Sequence, residues 1–422
     1  MAVNSAPGTS GYAFGERAPS RVITPESVEQ LAAALRDCDT KGEAVVFFGG
    51  GTLQGLGHAP ARYDVAVNLR ALNHVLEYEF RDLTISVEAG MTVEQLNATL
   101  AERGQFVPLD APQTARSTVG GVLAGGWCGP RRAAYGRPRD ALIGTTVVLA
   151  DGTIAKAGGM VVKNVTGYDM SKLYCGSLGT LGAIVRANFK TLPVPQTRRI
   201  AIARLPERTH RRAAEHIASL DVEPAAALVV QGFADDIDGH DGIDGRIFLL
   251  FEGSQTLVDR STRELRSALG AAGVPETTLF DAGAGMAFAR LLDAYLVRLG
   301  DRSVTYRILG LPSELLTRWE TVSRLAREHG LNLETLQDIR TGDLIARVSA
   351  TLSGHVTERI PGFDVALHSA LPRIAVLTAP ESLRGSLAMW GALPPSLQTM
   401  RALKARFDPK GTLAPGRYVG GI

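Results

Sequence analysis

The stretch Gly49-Gly50-Gly51-Thr52-Leu53-Gln54-Gly55 follows directly on a short apolar run at residues 44–48. An apolar run that ends in glycines is typical of a β-strand entering a tight turn. Three consecutive glycines exceed what one turn needs, and backbone N–H groups without side chains beside them can converge on an anion. We therefore predict a strand followed by a turn that holds a diphosphate, with a turn that needs only positive φ angles as the alternative.

Two further glycine clusters, at residues 117–126 and 176–182, lie in the same part of the chain. The stretch at residues 49–55 has neither the Gly-Lys-Ser/Thr of a P-loop nor a GxGxxG fingerprint in the context of a Rossmann fold. Residues 117–126 offer hydroxyls and bare backbone to a flat, partly apolar partner such as a cofactor ring. Residues 176–182 are equally compatible with close packing of a loop on a sheet. Together the three clusters, without a basic phosphate motif, favour an extended dinucleotide such as FAD over ATP.

Helix and strand signals surround these clusters. Thr24 followed by Pro25 predicts the N-cap and first residue of a helix with a periodic apolar stripe. Thr92 with Gln95 three residues later indicates a capping box for a second helix. Asp151-Gly152 between two apolar runs predicts a β-hairpin with a type I′ turn. Further strands are predicted at residues 64–69, 83–88 and 181–192.

After Pro195 the composition changes, because glycine becomes scarcer and arginine-rich helical stretches alternate with strand-like runs. The helical stretches are residues 209–220, 255–270 and 313–329, and the strand-like runs are residues 246–251 and 303–309. This pattern predicts a second α+β domain after a first, glycine-rich one.

The composition excludes several classes of protein. Of the 422 residues, 45% are hydrophobic and 21% are charged, as in ordinary globular proteins. Lys and Arg number 45 against 43 Asp and Glu, so the net charge of +2 gives no field that would attract nucleic acid. Three widely spaced cysteines are too few for an iron–sulfur cluster and lack zinc-site spacing. Since neither a signal-peptide pattern nor a transmembrane run is found, we expect a cytoplasmic protein without a direct membrane span.

In chain order, a set of short motifs resembles the signature of the FAD-binding PCMH-type (vanillyl-alcohol-oxidase-like) oxidoreductases. Within that family the chain is most similar to the FAD-binding E subunits of bacterial glycolate oxidase (glycolate dehydrogenase), to which Gly129-Pro130-Arg131-Arg132 and the run at residues 162–169 point. The motifs are Val87-Glu88-Ala89-Gly90-Met91-Thr92, Val107-Pro108-Leu109-Asp110, Thr118-Val119-Gly120-Gly121, Tyr135-Gly136-Arg137-Pro138-Arg139-Asp140, Val162-Lys163-Asn164-Val165-Thr166-Gly167-Tyr168-Asp169, Gly176-Ser177-Leu178-Gly179-Thr180-Leu181-Gly182, Phe407-Asp408-Pro409-Lys410-Gly411 and Pro415-Gly416-Arg417.

The resemblance implies an α+β fold with three segments. These are a PCMH-type FAD-binding domain of two α+β subdomains at residues 1–195, an α+β cap domain at residues 196–395, and a C-terminal segment at residues 396–422 that returns to the FAD domain. It also implies that Gly182 and Ile184 lie near the adenine end of FAD. The residues implied at the diphosphate are Gly49, Gly50, Gly51 and Thr52, and those on the flavin side are Pro108, Thr118, Gly120, Gly121, Ala124 and Gly125.

Four departures from the family pattern carry information. Covalent members place a flavin-linking histidine where this chain has Thr52, which implies non-covalent FAD, since His58 comes too late in the sequence. Cys128 lies near the attachment cysteine of some relatives, but its surroundings differ, so an ordinary buried thiol is favoured. Ala414 replaces an asparagine that often precedes Pro-Gly-Arg, which argues against one polar flavin contact. The cap has no His-x-Gly-Asp-Gly-Asn segment and no metal-spaced histidines, so no metal site is predicted.

These features leave three hypotheses about function. The first is the FAD-binding subunit of a glycolate-oxidase-like 2-hydroxyacid dehydrogenase complex, with a second flavin subunit and an iron–sulfur subunit as partners. The second is a self-sufficient FAD-dependent D-2-hydroxyacid (glycolate or D-lactate) dehydrogenase, and the third is a structural subunit that retains FAD. Arg307 as carboxylate clamp and His355 as base are the catalytic candidates, with an ion-paired rim arginine and a loop histidine as the alternatives. Arg131 and Arg132 would bind substrate or a partner subunit.

Overall fold

Two units, each with its own β-structure, make up the chain in the computed structural model. Unit 1 comprises Met1–Cys128, Arg137–Val194 and Leu393–Ile422, and unit 2 comprises Gly129–Gly136 and Pro195–Ala392. Helices and strands are mixed in both units, which confirms the predicted α+β class. Gly129–Gly136 lies within the first glycine-rich segment in sequence but belongs to unit 2. The structure describes residues 8–161, 167–205, 210–221, 223–232, 245–274, 277–281, 283–294, 303–350 and 356–422.

The helices and strands are numbered here in chain order. The strands are β1 (Arg21–Ile23), β2 (Val45–Phe48), β3 (Val65–Asn68), β4 (Val75–Glu79), β5 (Thr84–Glu88), β6 (Gln105–Phe106), β7 (Leu142–Val148), β8 (Ile154–Gly158), β9 (Ala183–Lys190), β10 (Leu192–Pro193), β11 (Thr197–Leu205), β12 (Ala226–Gln231), β13 (Gly245–Gly253), β14 (Thr277–Phe280), β15 (Ser303–Ile308), β16 (Leu331–Asp338), β17 (Leu344–Ala350) and β18 (Ile374–Thr378). The helices are α1 (Val28–Lys41), α2 (Val93–Ala101), α3 (Val119–Gly125), α4 (Arg132–Tyr135), α5 (Pro138–Ala141), α6 (Ser171–Tyr174), α7 (His210–Ala218), α8 (Gln255–Ala271), α9 (Ala284–Ala294), α10 (Leu315–Glu328), α11 (Val356–Ala370), α12 (Glu381–Arg384) and α13 (Leu397–Phe407). None of these helices, within the described ranges, is both long and apolar enough to cross a bilayer.

Unit 1 contains three sheets. Strands β1, β3 and β2 form a parallel sheet in that order, and β4-β5-β9-β7-β8 form an antiparallel one, while β6 and β10 pair as a short ribbon. The apolar stripe of α1 joins the two larger sheets. Its buried Leu31 and Leu35 cluster with Val45 of β2, Val148 of β7 and Val185 of β9. This shared core places the loop after β2 near the start of β9.

The C-terminal segment is tied into unit 1 by hydrogen bonds around one buried carboxylate. Asp408 accepts hydrogen bonds from the backbone N–H groups of Thr412 and Leu413, both at 2.8 Å. Lys404 donates to Asp408 at 2.5 Å and to the Thr180 carbonyl at 2.8 Å. Leu413 then bridges in parallel to Val45 of β2. The motif at residues 407–411 therefore attaches the C-terminal segment to the rest of unit 1.

Helix α1 begins at Val28, and the prediction that Thr24 caps it was wrong. Ser27 is the N-cap, because its hydroxyl accepts a hydrogen bond from the backbone N–H of Gln30 at 3.2 Å. The Gln30 side chain in turn accepts a hydrogen bond from the backbone N–H of Glu26 at 2.9 Å. The pattern Ser-x-x-Gln is the sequence signal of such an N-terminus, so Ser27 offered a stronger signal than the Thr-Pro pair.

The hairpin of β7 and β8 is present, but its turn is not type I′. Gly152 donates its N–H to the carbonyl of Leu149 at 3.0 Å, and Leu149 donates to Thr153 at 2.9 Å. Of the loop residues 150–152, only Gly152 has a positive φ, of +82°. This geometry is a type I turn followed by a G1 bulge. A Cβ at Gly152 would lie 2.4 Å from the carbonyl oxygen of Ala32, so packing on α1 requires glycine as well.

Unit 2 is built on one antiparallel sheet of eight strands in the order β14-β11-β13-β12-β16-β17-β15-β18. One face carries alternate apolar residues, among them Leu249, Tyr306 and Val348, which form a core with α7, α8, α10 and α11. Side chains at the intervening positions point to the opposite face. That second face carries several charged or polar residues, namely Arg198, Glu252, Thr305, Arg307, Asp343 and Arg347. We call this second face the polar face of unit 2.

Removing the true N-cap should weaken unit 1, whereas removing the predicted one should not. We expect Ser27→Ala to lower the free energy of unfolding by about 1 kcal/mol, because the N–H of Gln30 loses its acceptor. Thr24→Ala is the matched control, since Thr24 is exposed and outside the helix. Urea unfolding followed by circular dichroism measures both. Equal destabilisation by the two variants would contradict the assignment of Ser27.

Candidate functional site

The three glycine clusters meet around one cavity in unit 1 that is open to solvent. The loop after β2, helix α3 and the loop that precedes β9 each form one part of its wall. The lining residues that the sequence singled out are Gly49, Gly50, Gly51, Thr52, Thr118, Gly120, Gly121, Ala124, Gly125, Gly182 and Ile184. Pro108 is buried but is not among the lining residues.

The loop after β2 presents backbone donors without acceptors. Within the described part of the chain, no group accepts a hydrogen bond from the backbone N–H groups of residues 49–52. Gly49, Gly50 and Thr52 are half-buried, and N–H groups in such places are usually paired, so these donors indicate a ligand with acceptor atoms. A diphosphate supplies such atoms, and the loop therefore fits that part of FAD.

The glycines of this loop are required by packing as well as by a ligand. A Cβ at Gly50 would lie 1.7 Å from the carbonyl oxygen of Arg116, and one at Gly49 would lie 2.1 Å from Oγ1 of Thr118. Gly51 instead has a φ of +74° and open space where a Cβ would stand. A substitution at Gly50 would thus displace the backbone of residues 116–118, and loss of a ligand from it would not isolate a diphosphate contact.

The second cluster is a helix, not bare loop. Thr118 caps α3 by accepting a hydrogen bond from the N–H of Gly121 at 3.2 Å. Val119, Val122 and Leu123 form its buried face. The small residues Gly120, Gly121, Ala124 and Gly125 form the opposite face, which lines the cavity. A wall without bulky side chains allows a flat ring to approach the helix backbone closely.

Arg417 of the C-terminal Pro-Gly-Arg motif holds the loop from the other side. Its guanidinium donates to Oε1 of Gln54 at 2.6 Å and to the carbonyls of Gln54 and Leu56, both at 2.9 Å. It also lies over the ring of Phe14, 4.7 Å from the centroid. Arg417 is buried and lines the cavity. The sequence marked this residue as part of a motif but did not reveal that it shapes the glycine loop.

The polar face of unit 2 holds one carboxylate between two arginines. Asp343 accepts hydrogen bonds from Nε and Nη2 of Arg307, at 3.0 and 2.6 Å, on one of its oxygens. Its other oxygen accepts from Nη2 of Arg132 at 2.7 Å. These three side chains are 12 to 16% exposed. Two guanidinium groups therefore meet at one carboxylate in a partly buried place.

A second buried carboxylate lies beside the first group. Glu252 has no exposed side-chain surface and accepts hydrogen bonds from Nε of Arg198 at 2.6 Å and from the hydroxyl of Tyr135 at 2.8 Å. Arg131 approaches it at 3.4 Å. Burial, together with Glu252, holds the pKa of Tyr135 above its usual range. The adjacent Arg131 and Arg132 thus bind two different acids, and nothing near them in the sequence indicates Glu252 or Asp343.

Four further residues that the sequence singled out are Thr52, Cys128, His58 and His355. Thr52 shares a hydrogen bond with Ser117, at 2.8 Å between hydroxyl oxygens. Cys128 is half-buried, with its Sγ 3.5 Å from the carbonyl of Gly126, and it does not line the cavity. His58 donates its backbone N–H to the carbonyl of Arg417 at 3.1 Å. His355 and residues 162–166 of the quoted motif lie outside the described residues.

Comparison with known proteins gives the same picture for unit 1. A family model described as "FAD binding domain" matches residues 19–158. The chain is 33% identical to glycolate oxidase subunit GlcD of Bacillus subtilis over 185 residues, which are 44% of this chain and 39% of that protein's length. It is 27% identical to glycolate oxidase subunit GlcE of Escherichia coli over 83% of this chain and 86% of the relative. It is 28% identical to bovine mitochondrial D-2-hydroxyglutarate dehydrogenase over 94% of this chain and 77% of that relative.

Solved structures share the fold. A p-cresol methylhydroxylase structure matches with a TM-score of 0.72 at 16% identity, covering 95% of this chain and 88% of that one. An alkyldihydroxyacetonephosphate synthase matches with a TM-score of 0.69 at 17% identity, covering 95% of this chain and 78% of that one. The predicted PCMH-type fold is thereby confirmed.

Filling the cavity from α3 should prevent cofactor binding without unfolding the protein. We expect Ala124→Leu to lower FAD affinity at least about tenfold, because three added carbons enter the space that a ring would occupy. The measurement is flavin content after purification and FAD titration of the apoprotein. Ala98→Leu is the matched control, as Ala98 is exposed on α2 of the same unit. Equal FAD affinity in the two variants would contradict the placement.

A buried acid in unit 2 should make stability depend on pH. Burial raises the pKa of Asp338 to about 6, above the value of an unfolded chain. The folded protein therefore retains a proton that the unfolded chain loses, and stability falls as pH rises from about 4 to 6. Asp338→Asn removes this penalty, so its free energy of unfolding should exceed that of wild type by up to about 3 kcal/mol at pH 7. Urea unfolding at pH 4 supplies the control, where the difference should vanish; a difference independent of pH would exclude this cause.

Proposed function

We propose that the chain is a PCMH-type flavoprotein that oxidises a small 2-hydroxyacid as the FAD-binding subunit of a glycolate-oxidase-like dehydrogenase complex. The observation that supports this most is the cavity of unit 1, where three glycine clusters converge and a loop presents unpaired N–H groups. The names of the relatives, glycolate oxidase subunits and a D-2-hydroxyglutarate dehydrogenase, favour 2-hydroxyacids as the substrate class.

The cavity fits FAD part by part. The unpaired N–H groups of residues 49–52 would hold the diphosphate, and the small-residue face of α3 would lie against the flavin. Gly182 and Ile184 would line the adenine end. FAD, when bound, accepts a hydride and can release electrons singly. Thr52 offers only a hydroxyl, already bonded to Ser117, so the cofactor would be held without a covalent bond.

The polar face of unit 2 would bind the substrate carboxylate. Arg132 and Arg307 are both oriented by Asp343, so their two guanidinium groups would together bind one further anion. Guanidinium groups already oriented by a carboxylate lose little freedom when they bind a second one, which favours affinity. His355 remains the proposed base for the hydroxyl proton.

Electrons would leave through other subunits. Iron–sulfur clusters usually need four cysteine ligands, and this chain has three cysteines in all. An iron–sulfur subunit, with a second flavin subunit, would therefore complete the complex. A self-sufficient D-2-hydroxyacid dehydrogenase is the second candidate, because the bovine dehydrogenase aligns with 94% of this chain.

Turnover by the chain alone should distinguish the two candidates. We expect the purified FAD-loaded chain to reduce an artificial dye slowly with glycolate or D-lactate, and faster when the partner subunits are added. Arg307→Ala should raise KM about tenfold or more, since a charge-assisted contact to the substrate carboxylate is lost. Arg260→Ala is the control, because Arg260 is exposed and pairs with Glu264 one turn along α8.

Two outcomes would change the assignment. Rapid dye reduction by the chain alone, lost in Arg307→Ala, would favour the self-sufficient dehydrogenase. Failure of both 2-hydroxyacids to bleach the flavin anaerobically, with and without the partners, would contradict 2-hydroxyacid oxidation.

A further inference from the structure

Arg318 is a buried cation that no motif indicated. It extends from α10 with a side chain 7% exposed, and its Nη2 donates to the carbonyls of Leu311 and Gly342, both at 2.7 Å. Its Nε and Nη1 have no hydrogen-bond partner among the described residues. The nearest carboxylate oxygen recorded for it, on Glu314, is 3.7 Å from Nη1. Burial accordingly lowers the pKa of Arg318 from its ordinary value.

The two carbonyls belong to loops that extend the strands of the Arg307–Asp343 ion pair. Leu311 lies in the connection after β15, the strand that carries Arg307. Gly342 immediately precedes Asp343 in the turn between β16 and β17. That turn is closed by two backbone hydrogen bonds, from Asp338 to Asp343 and from Gly342 to Asp338, both at 2.8 Å. One guanidinium therefore fixes the connection after Arg307 to the turn before Asp343.

Two glycines leave the space that this arrangement needs. A Cβ at Gly310 would lie 1.1 Å from Nη1 of Arg318, and the three heavy atoms nearest to it all belong to that guanidinium. Gly342 has a φ of +76°, and its Cβ would lie 2.5 Å from the carbonyl carbon of Leu311. Gly310 is thus specifically matched to the Arg318 side chain.

A buried arginine without a hydrogen-bonded carboxylate is costly to retain. Its two carbonyl contacts could be replaced by neutral groups, so its charge needs a separate reason. Asp343, which pairs with Arg132 and Arg307, also favours the charged form of Arg318. Three guanidinium groups thus act on the turn that holds Asp338 and Asp343, and they favour a further anion at the exposed side of the ion pair.

We propose that Arg318 is a positioning residue for binding of the substrate carboxylate, holding Arg307 and Asp343 in register so that Arg132 and Arg307 present their guanidinium groups together. The proposal rests on the proposed function for its substrate, but the anion site itself is independent of turnover. Gly310 is needed for the same arrangement, because any side chain at this position would displace the guanidinium of Arg318.

Calorimetric titration with oxalate, a small unreactive dicarboxylate, tests this on the FAD-loaded protein. We expect Arg318→Met and Gly310→Ala each to weaken oxalate binding about tenfold or more, because the Arg307–Asp343 arrangement loosens. The double variant should bind like Arg318→Met alone, because without the guanidinium the alanine at position 310 has nothing to displace. Arg318→Lys should restore part of the affinity, and KM should rise in the single variants while kcat changes little.

Arg324→Met is the matched control, since Arg324 lies exposed on the same helix and pairs with Glu328. Unchanged oxalate affinity in Arg318→Met or Gly310→Ala, or additive losses in the double variant, would overturn the positioning role. Absence of oxalate binding to wild type would overturn it too. Oxalate binding with the expected cycle, in a protein that does not oxidise 2-hydroxyacids, would support the anion site and contradict only the proposed function. If Arg318→Met does not fold, the comparison of Gly310→Ala with Arg318→Lys decides the question.

Discussion

The cavity of unit 1 depends on one close approach of two backbone segments. Gly49 and Gly50 lie so near residues 116–118 that no side chain fits between them. This approach brings the loop after β2 against the N-terminal end of α3, and Arg417 holds the loop from the opposite side through Gln54 and Leu56. Because the loop is fixed on both sides, its N–H groups cannot turn away to find partners within the protein. The N–H groups of this loop thus lack protein acceptors because of packing, and this favours the binding of an anionic ligand.

Sequence patterns predicted what depends on local chemistry. The glycine clusters, the capping box at Thr92 and strands such as β3, β5 and β9 were recognised because each signal lies within a few residues. Helix α3 was not, since its three glycines each oppose helix formation, and it exists because Val119, Val122 and Leu123 are buried against unit 1. The start of α1 was misplaced for a different reason, because the Thr24-Pro25 pair was preferred to the stronger Ser-x-x-Gln signal that begins at Ser27.

The charged groups of unit 2 mark the limit of such prediction. Arg131, Arg132 and Arg307 were selected from the sequence, but their partners Glu252, on β13, and Asp343, in the turn before β17, are distant in sequence from Arg131 and Arg132. Pairing across an eight-stranded sheet follows from strand order and from which face each residue occupies. Neither can be read from residue types alone, because a shift of one position moves a side chain to the other face. Arg318 was missed entirely, as its role depends on the space left by Gly310.

Ala414 shows how a departure from a family pattern can have a backbone cause. The expected asparagine was linked to a polar flavin contact, yet Ala414 is fully buried and has a φ of +43°. Left-handed backbone favours glycine and asparagine over alanine, so the position selects for conformation as well as for contact. The strain is held in place from both sides, because Ala414 donates its N–H to the carbonyl of Val45 at 2.8 Å and Arg417 is anchored to the glycine loop. The same turn that strains Ala414 aims Arg417 at Gln54, so the cost at one residue supports the loop on which the cofactor site depends.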